Sequence, residues 1–261
     1  MHKVEVVKYN LSTKTSKTVA DHVAEEKPLH LFVNTTYWAT ILCSPSNLKE
    51  MAVGHLLSEG ILKSTAEIEE VNLKKTEGSC YIKLKAEINV DERFSLSRLH
   101  QRIVTSACGG KSIYQYQRKP VKVTSNLTVK AEVVFNSVNQ LNFKAEVFRQ
   151  TGGVHAAAIH TADGSLVALA EDVGRHNAVD KVIGMAALKQ TSFSECFLTS
   201  TGRLSGDVVF KASKVGLPIL ASLGAALDSG VAMAKAANLT LVGFVRGKRM
   251  NIYCYPERIS L

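Results

Sequence analysis

CFLTSTGRLSGDVVFKASKVGLPILAS, residues 196–222, predicts a strand, a helix and a second strand. Cys196 to Ser200 and Pro218 to Ser222 are short apolar runs, and the stretch from Ser205 to Val215 between them is predicted as a helix. Two strands that are joined through a helix lie parallel in one sheet. This stretch therefore predicts an α/β fold.

The same alternation continues on both sides of this stretch, from about residue 131 to the end. We predict helices at 138–150, 177–189 and 225–236, and strands at 154–160, 166–171, 239–245 and 250–255. Strands that alternate with helices of this length are typical of a largely parallel sheet that is covered on both faces.

The first ninety residues have a different pattern, with apolar runs separated by short turns. We predict strands at 29–33, 38–42, 67–73 and 79–86, and a helix that follows Asn47 and ends at Gly60. The predicted organisation is a smaller, mainly antiparallel β unit at 1–90, a polar loop region at 91–130 and an α/β core at 131–261.

Composition limits the function classes. The chain has 32 basic and 23 acidic residues, a net charge of +9, which favours a polyanionic partner. Nucleic acid is disfavoured because basic and aromatic residues do not interleave. The five cysteines are scattered and odd in number, and no apolar segment resembles a signal peptide or a membrane span. We therefore expect a cytoplasmic protein without a membrane contact.

Cys108 lies in the polar loop region, between Ser106-Ala107 and Gly109-Gly110-Lys111. Two glycines leave the thiol unshielded, and Lys111 favours the nucleophilic thiolate. The alternative is a turn that happens to contain a cysteine, and the residues alone leave both open. The other four cysteines have mostly apolar neighbours, which predicts packing roles.

Residues 171–181, EDVGRHNAVDK, contain six ionisable side chains at a predicted strand-to-helix junction. Such junctions lie at the edge of an α/β sheet where ligands bind, so Arg175 and His176 are candidates to contact an anion. The alternative is a solvated helix start, with Asn177 as the N-cap and with Asp180 and Lys181 in water.

Two further loops combine glycine with cations. Ser200-Thr201-Gly202-Arg203 precedes a predicted helix, where free backbone N–H groups and Arg203 could bind phosphate. Phe244-Val245-Arg246-Gly247-Lys248-Arg249 joins two predicted strands, and its cations suit a diphosphate, although a basic surface turn would have the same pattern. His155 and His160 are predicted to face opposite sides of a strand, which favours structural roles over a zinc site.

Five segments together carry a family resemblance: GHLLSEG at 54–60, TGGVHAA at 151–157, EDVGRHNAVDK at 171–181, STGR at 200–203 and GFVR at 243–246. With these segments the chain resembles the formate dehydrogenase accessory protein family of the FdhD type. The resemblance implies an α/β fold with a cytidine deaminase-like αβα core, without the zinc chemistry of that superfamily, beside the smaller β unit.

The resemblance also implies a function in molybdenum cofactor biosynthesis. Family members are sulfurtransferases that accept persulfide sulfur from a cysteine desulfurase and pass it to molybdenum-bis(molybdopterin guanine dinucleotide), which they bind as cargo for formate dehydrogenase. Cys108 would carry the sulfur in a homodimer. The expected cofactor-binding residues are Phe244, Val245, Arg246, Gly247, Lys248 and Arg249, with Arg203, and no metal ligands are expected.

The chain departs from the family at the cysteine loop, which commonly reads Cys-x-x-Cys. Here it reads Cys108-Gly109-Gly110-Lys111, so a disulfide within the loop cannot form. One thiol is enough to carry a persulfide. The alternative is a non-catalytic chaperone for the molybdenum cofactor. A zinc-dependent deaminase is a third reading, which depends on the implied fold alone.

Overall fold

The computed structural model describes residues 1–98 and 119–261. The strands in these residues are β1 (His2–Asn10), β2 (Thr15–Val23), β3 (Lys27–Val33), β4 (Thr36–Cys43), β5 (Ile68–Lys74), β6 (Ser79–Leu84), β7 (Val129–Lys130), β8 (His155–Thr161), β9 (Leu166–Asp172), β10 (Cys196–Ser200), β11 (Ile219–Ser222), β12 (Thr240–Arg246), β13 (Arg249–Cys254) and β14 (Ile259–Ser260). The helices are α1 (Leu48–Glu59), α2 (Val90–Arg98), α3 (Ala131–Lys144), α4 (Glu146–Thr151), α5 (Arg175–Leu188), α6 (Gly206–Lys214) and α7 (Asp228–Ala237).

A six-stranded sheet with the order β13-β12-β11-β10-β8-β9 forms the α/β core. β10, β11 and β12 are parallel, because helices α6 and α7 carry the chain back between them. β8–β9 and β12–β13 are hairpins and hence antiparallel, and β8 also runs antiparallel to β10. The α/β class is confirmed, but the prediction of a largely parallel sheet was wrong, since tight turns replace helical crossovers at both ends.

Both faces of this sheet are covered, as predicted. On one face Leu198 and Leu220 belong to the same buried cluster as Val182 of α5. On the other face Phe197 and Ile219 pack in a second cluster that includes residues of α3. Consecutive strand residues therefore alternate between two cores.

The N-terminal residues form a four-stranded sheet with the order β4-β3-β6-β5. Its β3–β4 and β5–β6 pairs are antiparallel and its β3–β6 pair is parallel, so the predicted mainly antiparallel character is confirmed. Buried residues of both large sheets belong to one apolar cluster. The division into units at 1–90, 91–130 and 131–261 stays a prediction, as does the likeness to cytidine deaminases.

Helix α1 joins the two sheets. It contacts β5 and β6 as well as α5 and α6, and every residue from Met51 to Ser58 is buried. Gly54 lies against α5 so closely that a Cβ there would be 1.8 Å from the carbonyl oxygen of Asp180. This helix is therefore covered on all sides along its middle turns.

Some elements differ from the sequence prediction. Helix α2 (Val90–Arg98) lies where the polar loop region at 91–130 was predicted to begin, so the loop prediction was wrong for these residues. The β1–β2 hairpin was not predicted, since its strands are mostly exposed and polar. The helix predicted at 138–150 is two helices, which separate at Ala145, where the backbone is extended. The carboxylate of Glu171 accepts hydrogen bonds from the N–H groups of Val147 and Phe148, so a contact distant in sequence fixes the start of α4.

Candidate functional site

Three of the predicted clusters meet at one edge of the six-stranded sheet, which we call the carboxyl edge. β10, β11 and β12 all end there because they are parallel. β9 also ends there, since Asp172 pairs with His155 at the start of β8 and Ala157 pairs with Ser200 at the end of β10. The loops that begin at residues 173, 201 and 247 therefore share this edge, where ligands collect in α/β sheets.

The loops of the carboxyl edge contact one another through Gly224, which follows β11. Its carbonyl oxygen accepts a hydrogen bond of 3.0 Å from the N–H of Phe244. A Cβ on Gly224 would lie 2.7 Å from the carbonyl oxygen of Gly202, so any side chain there would push the loops apart. This packing places Arg203 and the segment of Phe244 on either side of one loop.

The turn between β12 and β13 presents its cations to solvent. Arg246, Lys248 and Arg249 are exposed, and the guanidinium of Arg246 lies 5.1 Å from the ring centroid of Phe244. Gly247 has a φ of 58°, which glycine adopts without strain. The side chain of Val245 is buried in the core behind β12, so only its backbone could contact a ligand.

The loop after β10 is built differently from the expected phosphate cradle. The N–H groups of Thr201, Gly202 and Leu204 already bond to protein acceptors. A Cβ on Gly202 would lie 2.8 Å from the Cβ of Arg175, so this glycine makes room for the arginine side chain. Arg203 is exposed and is the residue of this loop that could bind an anion through its side chain.

His155 lies at the same edge, at the start of β8. Its Nδ1 is 3.3 Å from the hydroxyl oxygen of Thr201, and its ring is partly exposed. Partial burial lowers the pKa of His155, and the positive charges of Arg175 and Arg203 lower it further, against an opposite effect of Asp172. The imidazole is therefore neutral near pH 7. Sequence reasoning treated it as structural because nothing in its local sequence showed that it would meet two arginines.

The run at 171–181 is largely buried, so the solvated-cap alternative was wrong. Asp172 and Lys181 form an ion pair of 2.7 Å, and both side chains are 0% exposed. The carboxylate of Asp172 also accepts bonds from the N–H of Ser44 and the side-chain amide of Asn177. Gly174, not Asn177, occupies the N-cap position of α5. These bonds attach the core to the end of β4.

A second buried network surrounds Asp180 on α5. Both of its carboxylate oxygens lie 2.9 Å from the ammonium of Lys211, and Ser58 and His55 of α1 bond to the same group. Burial alone would raise the pKa of Asp180, but Lys211 and His55 lower it overall. Lys211 also pairs with Glu59. The network thus ties α1, α5 and α6 together.

His176 lies between this network and the carboxyl edge. Its Nε2 is 3.4 Å from the hydroxyl oxygen of Ser205, which occupies the N-cap position of α6 without making a side-chain cap bond. Burial, followed by the charges of Arg175 and Lys211, lowers the pKa of His176 to about 3. The ring is neutral at ordinary pH, so it adds no positive charge for an anion.

The four cysteines in the described residues are Cys43, Cys80, Cys196 and Cys254, and all are buried. Burial raises the pKa of Cys43 and of Cys80 to about 12, and it also raises the pKa values of Cys196 and Cys254. A thiol that stays protonated is a poor nucleophile, so their predicted packing roles are confirmed. Cys108 and its neighbour Lys111 lie outside the described residues.

Within residues 1–98 and 119–261, no helix is long and apolar enough to cross a membrane. In the same part of the chain, no three His, Cys, Asp or Glu side chains are grouped so that they could hold a metal ion. His160 is buried and lies 3.1 Å from the hydroxyl oxygen of Thr199, and its ring stacks on Phe197. Its predicted structural role is confirmed.

Comparisons with known proteins agree with one another. The model of the FdhD/NarQ family matches residues 24–260. A relative from Saccharolobus solfataricus, named sulfur carrier protein FdhD, is 37% identical over 247 residues, which is 92% of this chain and 91% of the relative. A relative of the same name from Shouchella clausii is 35% identical over 253 residues, 93% of this chain and 91% of its own length.

A crystal structure has the same fold. It is that of a protein from Desulfotalea psychrophila described as a formate dehydrogenase accessory protein, with a TM-score of 0.80, 25% identity and 99% of each chain covered. Because the family model spans most of the sequence and relatives above 30% identity cover nine tenths of it, the chain belongs to the FdhD/NarQ family.

Proposed function

We propose that this chain is a sulfur carrier that accepts persulfide sulfur on Cys108 from a cysteine desulfurase and transfers it to a molybdenum-bis(molybdopterin guanine dinucleotide) cofactor destined for formate dehydrogenase. The observation that supports it best is the state of the other cysteines. Four of the five are buried with raised pKa values, which leaves Cys108 as the candidate nucleophile. The names of the relatives support the same role.

Loading of Cys108 is a thiol exchange at sulfur. The Cys108 thiolate attacks the terminal sulfur of the desulfurase persulfide, a new S–S bond forms, and the desulfurase cysteine leaves as a thiolate. Release of the carried sulfur as sulfide requires two electrons from a thiol. Because Lys111 stands where the family commonly has a second cysteine, we assign that thiol to another molecule. This makes the chain a sulfurtransferase with a single reactive thiol.

The carboxyl edge is the proposed binding surface for the cofactor, which is the substrate of the transfer. Arg246, Lys248 and Arg249 would pair with diphosphate oxygens, and Arg203 faces solvent on the neighbouring loop. The guanine base would stack on the ring of Phe244, beside the guanidinium of Arg246. A homodimer, cytoplasmic localisation and contact with formate dehydrogenase belong to the same proposal.

Intact-mass spectrometry after incubation with a cysteine desulfurase and cysteine tests the carrier step. We expect the wild-type protein to gain the mass of one sulfur atom, with peptide mapping that places it on Cys108. Cys108→Ala should gain none and should fail to support formate dehydrogenase maturation. Cys254→Ala, the matched control at a buried thiol, should load normally. Full maturation with Cys108→Ala would contradict the proposal.

The second candidate is a chaperone that binds the cofactor without moving sulfur, which the missing loop cysteine favours. A single-turnover experiment separates the two, because a carrier that has been loaded with labelled sulfur passes the label to the cofactor. A chaperone would bind the cofactor and leave it unlabelled.

A further inference from the structure

The β1–β2 hairpin, which we call the arm, is exposed along most of its length. We propose that its tip, residues 7–18, inserts into an acidic groove on the N-terminal sheet of a second copy of this chain, so that two copies exchange arms. This inference rests on the homodimer that belongs to the proposed function, and it names the surfaces that hold the two copies together. The matched family model begins at residue 24, directly after the arm.

The tip of the arm leaves apolar surface uncovered. Every residue of the tip is exposed, whereas Val4, Val6 and Val19 nearer the body of the protein are half-buried. The tip has three large apolar side chains with high exposed fractions, Val7 at 67%, Tyr9 at 58% and Leu11 at 83%. An isolated two-stranded hairpin is only marginally stable in water, because it has no second layer that buries such side chains. A partner that covers the tip would supply that layer.

The tip is also positively charged. It contains Lys8, Lys14 and Lys17 and no acidic residue. Lys8 forms an exposed ion pair with Asp21, whereas Lys14 and Lys17 form no ion pair with any residue that the structure describes. Lys8 and Lys17 also lie directly opposite each other on the two strands, an arrangement of like charges that destabilises a hairpin. A partner with carboxylates would offset this repulsion.

An open groove on the N-terminal sheet has the complementary charge. It lies on the side of Tyr81 and Lys83, which alternate along β6 with the buried Ile82, and its volume is about 520 Å³. Glu69 and Glu70 line it together with Lys83, so the groove is net negative in a chain whose net charge is +9. Lys83 pairs with Glu69 at 2.7 Å, and Glu70 forms no ion pair with a described residue.

The groove offers an apolar contact beside its charge. The ring of Tyr81 stacks on the ring of Phe32 with 4.6 Å between the centroids, which holds it in place. In the exchanged arrangement the side chain of Leu11 packs against Tyr81 and the ammonium of Lys14 pairs with Glu70. The tip does not contact the groove of its own chain, since the tip is exposed throughout. A two-fold axis forms both contacts at once, so the exchange closes at two copies.

Sedimentation equilibrium over a range of protein concentrations tests the exchange. Leu11→Asp removes the apolar contact from both grooves and should raise the dissociation constant of the dimer about a hundredfold. Lys14→Glu and Glu70→Lys should each raise it about tenfold, because each turns two attractions into repulsions. Both substitutions in the same chain should restore the dimer. Lys235→Glu, at an exposed cation of α7, is the control for net charge and should change nothing.

A disulfide between two chains tests the contact itself. One chain carries Leu11→Cys and the other carries Asn72→Cys, at an exposed residue that lines the groove. Both have Cys108→Ala, and the other four cysteines are buried. With oxidised glutathione as the oxidant, the mixture should give a linked pair with one chain of each kind, whereas each variant alone should give none.

The outcomes separate this inference from the proposed function. A wild-type protein that is monomeric at 100 µM, a concentration of about 10⁻⁴ M that corresponds to weak association, would overturn both the homodimer and the exchange. A dimer that Leu11→Asp and Lys14→Glu leave equally stable would overturn the exchange alone, and an arm that binds a different acidic protein would give this result. All of the substituted side chains are exposed, so the variants should fold. Sulfur loading of Cys108 is measured by mass on each chain, so its failure would remove the carrier role and leave the result on the arm standing.

Discussion

The buried network around Asp180 and the loops of the carboxyl edge both carry charged residues, but in opposite states. Asp180 and Lys211 are buried, with each carboxylate oxygen bonded to the ammonium and to a further side chain of α1. Arg203, Arg246 and Arg249 are exposed in the loops of the carboxyl edge. The first group is already satisfied by protein partners, whereas the second can exchange water for a ligand.

This difference shows that dense charge in a sequence is a poor guide to a binding site. The run at 171–181 has six ionisable residues among eleven, yet most of them bond the chain to itself. The candidate ligand cations are spread over two short loops, one between β10 and α6 and one between β12 and β13. A buried charge is costly unless polar or charged groups of the protein bind it. Residues that form a buried network are therefore often polar or charged themselves, and a sequence segment that contributes several of them is rich in charge.

The largest effect is expected from breaking the interior network. Asp180→Ala leaves the buried ammonium of Lys211 without its main partner, and the loss of one member of a buried ion pair typically costs about 3–5 kcal/mol. We therefore expect the free energy of unfolding to fall by this amount in urea titrations. Asp21→Ala, which removes an exposed ion pair with Lys8, is the control and should leave the unfolding midpoint almost unchanged. A small effect of Asp180→Ala would mean that the network is not needed for folding.

Much of the fold was predictable because local sequence and tertiary structure agree. Cys196–Ser200 was predicted residue for residue, since an apolar run bounded by Glu195 and the Thr201-Gly202 turn has few alternatives. Ala145 could not be recognised as a helix break, because the carboxylate that starts α4 comes from Glu171, distant in sequence. The exposed cations of the carboxyl edge were predicted as candidate ligand contacts because they lie in glycine-containing loops. The position of His155 beside Arg175 and Arg203 was not predicted, because the two arginines approach it only in the folded chain.

A smaller effect on stability is expected from His160, a buried and neutral side chain whose contribution depends on pH. Burial lowers its pKa to about 4, although a hydrogen bond to the carbonyl of Gly164 acts in the opposite direction. The folded-state pKa is below the unfolded value of about 6.5, so this histidine contributes stability that is present above pH 6.5 and is lost as the pH falls towards 4. One such group contributes a slope of at most about 1.4 kcal/mol per pH unit.

Unfolding titrations of the wild type and His160→Gln between pH 4 and pH 7 check this expectation. The variant has lost the bond to Thr199 and should be less stable at pH 7, but its stability should depend less steeply on pH. The comparison of slopes isolates His160, because all other titrating groups are common to both proteins. Parallel curves would show that the ring does not titrate with a lowered pKa.

The smallest change in stability is expected when a cation is removed from the β12–β13 turn. The same substitutions test ligand binding at the carboxyl edge directly. Arg246→Ala and Arg249→Ala remove exposed side chains, so their unfolding midpoints should match that of the wild type. Each should nevertheless weaken the binding of GDP, used as a fragment of the proposed cofactor, about tenfold or more, since a hydrogen bond to a charged group is worth roughly 1.5–3 kcal/mol. Lys75→Ala, which removes an exposed cation near the N-terminal sheet, controls for the change in net charge.

Calorimetry at fixed ionic strength measures GDP binding to all four proteins. The ionic strength is held constant because the exposed cations of the turn are in water, where salt screens their charge. If GDP bound equally well to the two arginine variants and to the wild type, the nucleotide would lie elsewhere and the turn would be an ordinary part of the protein surface.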